Sequence, residues 1–126
     1  MVALTHHIIK RVAILGSTGS IGVNTLEVIA RHPDRFEVFA LSASTRVAVM
    51  LQQCVQYRPV FAVMASEPHG VELAHQCKAL GLPTRVLWGA DAIAKVASDE
   101  LVDIVMAAIV GAAGLASCLA AARAGK

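Results

Sequence analysis

The sequence predicts an α/β protein built on a mainly parallel, doubly wound sheet. Short continuous apolar runs, typical of strands buried on both faces, alternate with segments of helical periodicity. Such alternation implies βαβ units with right-handed crossovers. Apolar residues make up 56% of the 126 residues and charged residues only 16%, which excludes a disordered chain. The length fits one domain.

The first predicted βαβ unit lies at the start of the chain. Its first strand, over 11–15, stops at Gly16, and a helix over 20–32 ends before Pro33 because the residue before proline avoids the α region. A second strand over 36–41 completes the unit. The apolar positions that recur at helical spacing in the helix are Ile21, Leu26, Val28 and Ile29.

The pattern continues to the end of the chain. A helix over 47–57 carries apolar residues at Val49, Leu51 and Val55. If the winding is of the doubly wound kind, the fifth strand returns beside the first and gives the order 4-3-2-1-5, with a ligand crevice where the winding reverses. The remaining predicted elements are a strand over 60–64, a helix over 68–80, an edge strand over 84–88, a helix over 90–97, a strand over 101–108 and a helix over 111–122.

A glycine-rich turn, GSTGSIG over 16–22, joins the first strand to the first helix. An anion at a helix N-terminus meets unpaired N–H groups and the positive end of the helix dipole. Gly16 permits a tight turn, Gly19 lets a pyrophosphate approach the backbone, and Gly22 lets the helix pack closely on the strand. In this position the spacing favours a Rossmann-like dinucleotide-binding domain over an ordinary turn. A P-loop is excluded because no Gly-Lys-Ser/Thr ending is present.

The residues after the second strand indicate which dinucleotide is bound. An NAD site usually has an acidic residue about twenty positions past the glycines, whereas an NADP site needs a cation and hydroxyls for the 2′-phosphate. Here no acid is present, and the Arg46 guanidinium can hold a phosphate with its fork of donors. We therefore predict NADPH, with Arg46 and Ser44 or Thr45 on the 2′-phosphate. The alternative is that Arg46 is only a solvated residue at a helix start.

Other polar and small residues carry weaker signals. His69, Glu72 and His75 share a predicted helix, but the two histidines lack the i, i+4 spacing of zinc helices, which favours a solvated face. Small residues over 107–114 permit either close approach of a flat ligand or tight helix packing, and both interpretations remain open. No catalytic constellation and no metal site is predicted. Three cysteines among apolar neighbours are interpreted as reduced, inert thiols: Cys54, Cys77 and Cys118.

Charge and hydropathy argue against two classes of partner. The net charge is +2 and the basic residues are scattered, so no nucleic-acid footprint is present. The uncharged stretch over 104–122 has the length of a transmembrane helix, but its alanines and the glycines at 111 and 114 favour a buried strand followed by a helix. With no signal peptide evident, we expect a cytoplasmic protein.

Two motifs together resemble one enzyme family. GSTGSIG over 16–22 and MAAIVGAAGL over 106–115 resemble the N-terminal part of 1-deoxy-D-xylulose 5-phosphate reductoisomerase, and the resemblance extends over 10–126. It implies NADPH-dependent rearrangement and reduction of a small-molecule substrate, deoxyxylulose phosphate, in isoprenoid biosynthesis by a homodimer that uses Mg²⁺ or Mn²⁺. The loop residues that it implies hold the cofactor are Thr18, Gly19, Ser20 and Ile21.

The sequence departs from the family pattern in two places. The family often has Gly-Lys-Asn where this chain has Ser44-Thr45-Arg46, so the cation is shifted by one position. The Asn-Lys-Glu segment, metal-binding carboxylates, mobile loop and C-terminal helices of the family have no counterpart over 1–126. We therefore expect one incomplete NADPH-binding domain over 1–126, with a sheet incomplete at its C-terminal end and without metal ligands or activity of its own. The alternative is a stand-alone NADP-binding regulatory module.

Overall fold

The computed structural model describes residues 9–107 and residue 125. Within them five strands alternate with four helices, all strand pairs are parallel, and the strand order is 4-3-2-1-5. The predicted class and strand order are confirmed. The elements are β1 Lys10–Leu15, α1 Ser20–Arg31, β2 Phe36–Ala43, α2 Val47–Tyr57, β3 Phe61–Met64, α3 Glu67–Ala79, β4 Arg85–Trp88, α4 Ala90–Ala97 and β5 Ile104–Ala107.

The central strand β1 sends alternate side chains into two hydrophobic cores. Val12 and Ile14 pack with buried residues of α1, α2 and α3 on one face of the sheet. Ala13 and Leu15 pack on the other face, with Phe39 and with α4. Because both faces of β1 are covered, the strand has a continuous apolar sequence rather than an alternating one.

The parallel register brings the ends of the first three strands to one edge of the sheet. Leu15 of β1 lies opposite Ser42 of β2, and Ser42 lies opposite Val63 of β3. Since carboxyl ends of parallel strands share an edge, the turn over 16–22 and the loop over 44–46 emerge side by side. This edge is where doubly wound sheets bind their ligands.

The predicted buried face of α1 is correct only in part. Leu26 and Ile29 are buried, but Ile21 is 59% exposed and Val28 is 50% exposed. Val28 is two residues from Leu26, about 200° around the helix, and therefore faces solvent. At the first turn it is Gly22, and not Ile21, that faces the backbone after β1.

The predicted bounds of α2 are confirmed, and of the three apolar residues noted in it Leu51 packs against the core. Val49 and Leu51 are only partly buried, and Val55 is 45% exposed. The stripe that faces the sheet follows a spacing of three and four residues from the first position of the helix, which leaves Val55 outside it. The buried residues of α2 are Val47, Met50, Gln53 and Cys54.

Two strand boundaries differ from the predictions by more than one residue. β2 continues to Ala43, two residues further than predicted, because Ser42 still pairs with strands on both sides. β5 begins later than predicted because a turn occupies the preceding residues: the Leu101 N–H donates to the Asp99 carboxylate at 2.8 Å. The edge position predicted for β4 is confirmed.

Some predictions fall on residues outside the described part of the chain. They concern residue 108, the helix over 111–122, Cys118 and most of the small-residue stretch over 107–114. None of the helices of the described residues has the length and apolar character needed to cross a membrane. Most of the uncharged stretch over 104–122 also lies outside the description.

Cys54 and Cys77 are free, buried thiols that share the core between the sheet and its helices. Burial raises the pKa of the Cys54 thiol to about 12, and the neighbouring Cys77 adds to the increase. Burial also raises the pKa of Cys77. Because the thiolate is the reactive form, both side chains are inert at neutral pH, as predicted for these two cysteines.

The Cys54 thiol should make the protein less stable at alkaline pH. Its pKa is raised from 9.0 to about 12 on folding, so the unfolded chain loses this proton first. The contribution is fully present below pH 9 and is lost as the pH rises towards 12. Urea denaturation over this range should show a steeper fall in unfolding free energy for the wild type than for Cys54→Ala. Parallel curves for the two proteins would contradict the assignment.

Candidate nucleotide-binding site

The turn after β1 is fixed by the end of β2. Gly16 has a φ of 86°, a left-handed conformation that glycine adopts without strain, and this reverses the chain. The Gly16 N–H lies 3.0 Å from the Ser42 carbonyl oxygen and 3.1 Å from its Oγ. The Ser17 N–H donates to the same carbonyl at 2.8 Å. One serine of β2 therefore anchors the first two residues of the turn.

The other two glycines of the turn have different roles. A Cβ placed on Gly22 would lie 2.3 Å from the Gly16 carbonyl oxygen and 2.6 Å from the Ser17 Cα, so no side chain fits there. This is the close helix–strand packing that the motif predicts. Gly19 is exposed, and a Cβ there would meet only the Gly16 oxygen, at 3.8 Å. No contact within the described chain requires glycine at position 19, which leaves its surface open to a ligand.

The N-terminus of α1 is open to an anion. Gly19 caps the helix without any side-chain hydrogen bond, and the first turn contains no acidic residue. The first backbone bond of the helix runs from the Val23 N–H to the Gly19 carbonyl, at 2.9 Å. Within the described residues, the N–H groups of Thr18, Ser20 and Ile21 have no acceptor. These donors and the helix dipole together favour a bound phosphate.

The loop between β2 and α2 places a cation beside this turn. The Arg46 Nη1 makes a long hydrogen bond of 3.5 Å to the Thr18 carbonyl oxygen, 28 residues earlier in the chain. Ser44 and Thr45 are exposed, and the Thr45 carbonyl accepts from the Val47 N–H at 2.9 Å as the helix starts. The structure therefore brings both groups of predicted cofactor-binding residues to one edge of the sheet.

Sequence reasoning missed a residue that supports the turn. Gln53 of α2 is buried, and its Nε2 donates to the Ser17 carbonyl at 2.9 Å while its Oε1 accepts from the Ser17 hydroxyl at 2.7 Å. The signal in the sequence was a polar residue three positions after the buried Met50. Its partner, 36 residues away, could not be identified from periodicity.

The His69 cluster does not form a metal centre in the described chain. Glu72 and His75 are exposed, as the solvated-face interpretation requires, whereas His69 is half-buried with its Nδ1 2.8 Å from the Ser66 Oγ. Within the described residues, no three His, Cys, Asp or Glu side chains are grouped closely enough to hold a metal ion. Residues 9–107 therefore offer no site for the divalent metal that the family resemblance implies.

A separate cavity of about 410 Å³ lies against β3, β4 and α4. It includes Phe61 and Arg85, the first residues of their strands, together with Lys95 and Asp99. In a parallel sheet the first residues of the strands lie at the edge opposite the turn over 16–22. This cavity is therefore remote from the candidate site.

The fold and this site define the chain as a Rossmann-like α/β domain with a glycine-rich turn between its first strand and first helix. Comparison with known proteins gives the family. A family model described as 1-deoxy-D-xylulose 5-phosphate reductoisomerase matches residues 12–126. The chain belongs to the 1-deoxy-D-xylulose 5-phosphate reductoisomerase family.

Individual relatives agree with the family match. The reductoisomerase of Dechloromonas aromatica is 51% identical over 118 residues, which are 94% of this chain and 30% of the relative. That of Nitrosospira multiformis is 52% identical over 118 residues, with the same shares covered. The chain thus spans about 30% of the length of these relatives.

Solved structures are similar over the same part. A crystal structure of DOX-P reductoisomerase with NADPH, fosmidomycin and magnesium has a TM-score of 0.89 and 44% identity, covering 93% of this chain and 28% of that one. The Zymomonas mobilis enzyme in complex with NADPH has a TM-score of 0.87 and 37% identity, covering 94% of this chain and 31% of that one.

The two glycines should respond differently to alanine. Gly22→Ala should lower the free energy of unfolding by about 1–3 kcal/mol or more, because its methyl group overlaps backbone atoms that cannot move aside easily. Gly19→Ala has space for its methyl group and a φ of −80°, so its stability should equal or slightly exceed that of the wild type. Chemical denaturation of both variants measures the difference, and equal losses would show that the close packing at Gly22 is not as described.

Proposed function

We propose that residues 1–126 form the NADPH-binding domain of a 1-deoxy-D-xylulose 5-phosphate reductoisomerase. The observation that carries the proposal is the position of Arg46, whose guanidinium reaches the Thr18 carbonyl at the open N-terminus of α1. NADPH carries two separated anionic groups, the pyrophosphate and the 2′-phosphate. The site offers unpaired N–H donors for one part and a cation for the other, at the same sheet edge.

The pyrophosphate binds at the N-terminus of α1 in this proposal. Thr18, Ser20 and Ile21 hold it through backbone N–H groups, Thr18 and Ser20 also through their hydroxyls, and Gly19 through the backbone surface that it exposes. The missing side chain at Gly19 allows the phosphate oxygens to approach the backbone. No carboxylate lies in the first turn of the helix to compete with the ligand. An anion at such a position is stabilised by roughly 0.3–1 kcal/mol from the helix dipole alone when it is exposed.

The 2′-phosphate binds at the loop between β2 and α2. Arg46 supplies the charge, while the exposed Ser44 and Thr45 supply hydroxyl donors. An NAD-specific site would place a carboxylate near this loop to accept hydrogen bonds from the ribose hydroxyls. Such a carboxylate would repel the 2′-phosphate of NADPH. Ser44-Thr45-Arg46 contains no acid, which favours NADPH over NADH.

In the proposed reaction, NADPH supplies the hydride that reduces the rearranged carbon skeleton of deoxyxylulose phosphate to 2-C-methyl-D-erythritol 4-phosphate, a step of isoprenoid biosynthesis. The described residues bind and orient the cofactor for this step. They provide no metal-ligand group, and we assign to them no role with metal or substrate. We further propose that the enzyme acts in the cytoplasm as a homodimer.

A regulatory NADP-binding module is the competing hypothesis. It would use the same turn and loop, so the contacts at the site do not distinguish the two functions. The family match over 12–126 favours the reductoisomerase, and no contact in the described residues specifically favours a regulator.

Arg46→Ala should weaken NADPH binding at least about tenfold while changing NADH binding by less than about twofold, because only NADPH carries the 2′-phosphate that a charge-assisted hydrogen bond would recognise. Isothermal titration calorimetry of the purified chain with each dinucleotide measures both affinities. Arg58→Ala is the matched control, since Arg58 is an exposed cation at the opposite end of α2. Equal losses for the two dinucleotides, or a loss in the control, would defeat the assignment of Arg46 to the 2′-phosphate.

A further inference from the structure

Every polar group of Ser17 is engaged, although the residue lies inside a turn. Its N–H donates to the Ser42 carbonyl at 2.8 Å, and its carbonyl and hydroxyl both bond to the Gln53 side chain. Ser17 is 0% exposed and Gln53 is 7% exposed. The Ser17 residue is therefore held from two sides, by β2 through its nitrogen and by α2 through its oxygens.

The bond from Gln53 fixes the direction of the next amide group. The peptide between Ser17 and Thr18 is planar and trans, like all described peptide bonds, so its carbonyl and N–H point in opposite directions. Since Gln53 holds the Ser17 carbonyl towards α2, the Thr18 N–H must point away from α2. This N–H has no acceptor within the described residues.

A glutamine is well suited to this position. A carbonyl oxygen can only accept, so the Nε2 of Gln53 must face the Ser17 carbonyl, which leaves Oε1 for the hydroxyl. A side-chain amide offers a donor and an acceptor side by side without bringing a charge into the core. An apolar residue of similar size would leave the Ser17 oxygens buried without hydrogen-bond partners, which lowers the free energy of unfolding.

We propose that Gln53 is a positioning residue of the cofactor site: it aims the Thr18 N–H at the pyrophosphate without touching the cofactor. The inference rests on the proposed NADPH-binding function and extends it to a residue outside the glycine-rich turn. Both polar atoms of Gln53 are used by Ser17, so they are not available to the ligand. Its effect on the cofactor passes through the turn alone.

The test compares Gln53→Met with Gln56→Met, an exposed glutamine on the same helix. The first variant should bind NADP⁺ about tenfold more weakly, the loss expected for one misplaced bond to a phosphate. Its affinity for adenosine 2′-monophosphate should stay within about twofold, because that ligand lacks the pyrophosphate and needs only the loop over 44–46. Gln56→Met should change neither affinity. Calorimetric titration of the purified chain gives all values.

Hydrogen exchange of the ligand-free chain provides a second measurement. In Gln53→Met the amides of Ser17 and Gly19, which donate to the Ser42 and Gly16 carbonyls, should exchange faster than in the wild type, and by a larger factor than the amide of Ile14 in β1. A general loss of stability alone would accelerate the turn and strand amides by the same factor and would weaken both ligands equally, and either result would overturn the positioning role. If Gln53→Met does not fold, Gln53→Glu replaces it in titrations at alkaline pH, where the carboxyl group is ionised and can accept from the Ser17 hydroxyl but cannot donate to the carbonyl.

The two proposals fail in different ways. A wild-type chain that binds neither NADP⁺ nor adenosine 2′-monophosphate overturns the proposed function, and the positioning role with it. A wild-type chain that binds NADP⁺ while Gln53→Met or Gln53→Glu binds it equally well overturns the positioning role only.

Discussion

The site depends on how the Ser17 backbone is held between β2 and α2. On one side the Ser17 N–H donates to the Ser42 carbonyl. On the other side the Gln53 side chain hydrogen-bonds to the Ser17 carbonyl and hydroxyl. A turn rich in glycine would otherwise have many conformations available to it. With Ser17 fixed, the left-handed Gly16, the packed Gly22 and the start of α1 all take defined positions. The free N–H groups at the start of α1 are therefore organised before any ligand is present.

The parallel sheet explains why residues distant in sequence meet at this edge. β1 and β2 run in the same direction, so the segments that follow them leave the sheet together. The guanidinium of Arg46 consequently lies beside the Thr18 carbonyl, although the two residues are 28 positions apart. An anion bound here would meet helix N–H groups, a helix dipole and a guanidinium, and no carboxylate in the first turn of α1 or in the loop over 44–46 opposes it. The shift of the cation by one position relative to the family motif does not separate it from the turn.

Patterns that act over short distances were predictable from the sequence. The bounds of α2 were predicted correctly. The turn over 16–22 was placed correctly because strand, glycines and helix follow one another directly. What could not be predicted depends on partners elsewhere in the chain. The second strand was predicted to end at residue 41, before Ser42. No local pattern shows that Ser42 pairs with the two neighbouring strands. Gln53 is a polar residue on the buried face of α2. Its role depends on hydrogen bonds to Ser17, which is distant in sequence and lies beside it only in the fold.

The most direct test of cofactor binding is a titration of the ¹⁵N-labelled chain with NADP⁺, followed by the backbone amide signals in NMR spectra. We expect the largest shifts at Thr18, Gly19, Ser20 and Ile21, with further shifts over 44–46. Residues around the cavity at the opposite edge, such as Arg85 and Lys95, should stay unchanged. Shifts confined to that cavity, or no shifts at NADP⁺ concentrations in large excess, would show that the turn over 16–22 does not bind the cofactor.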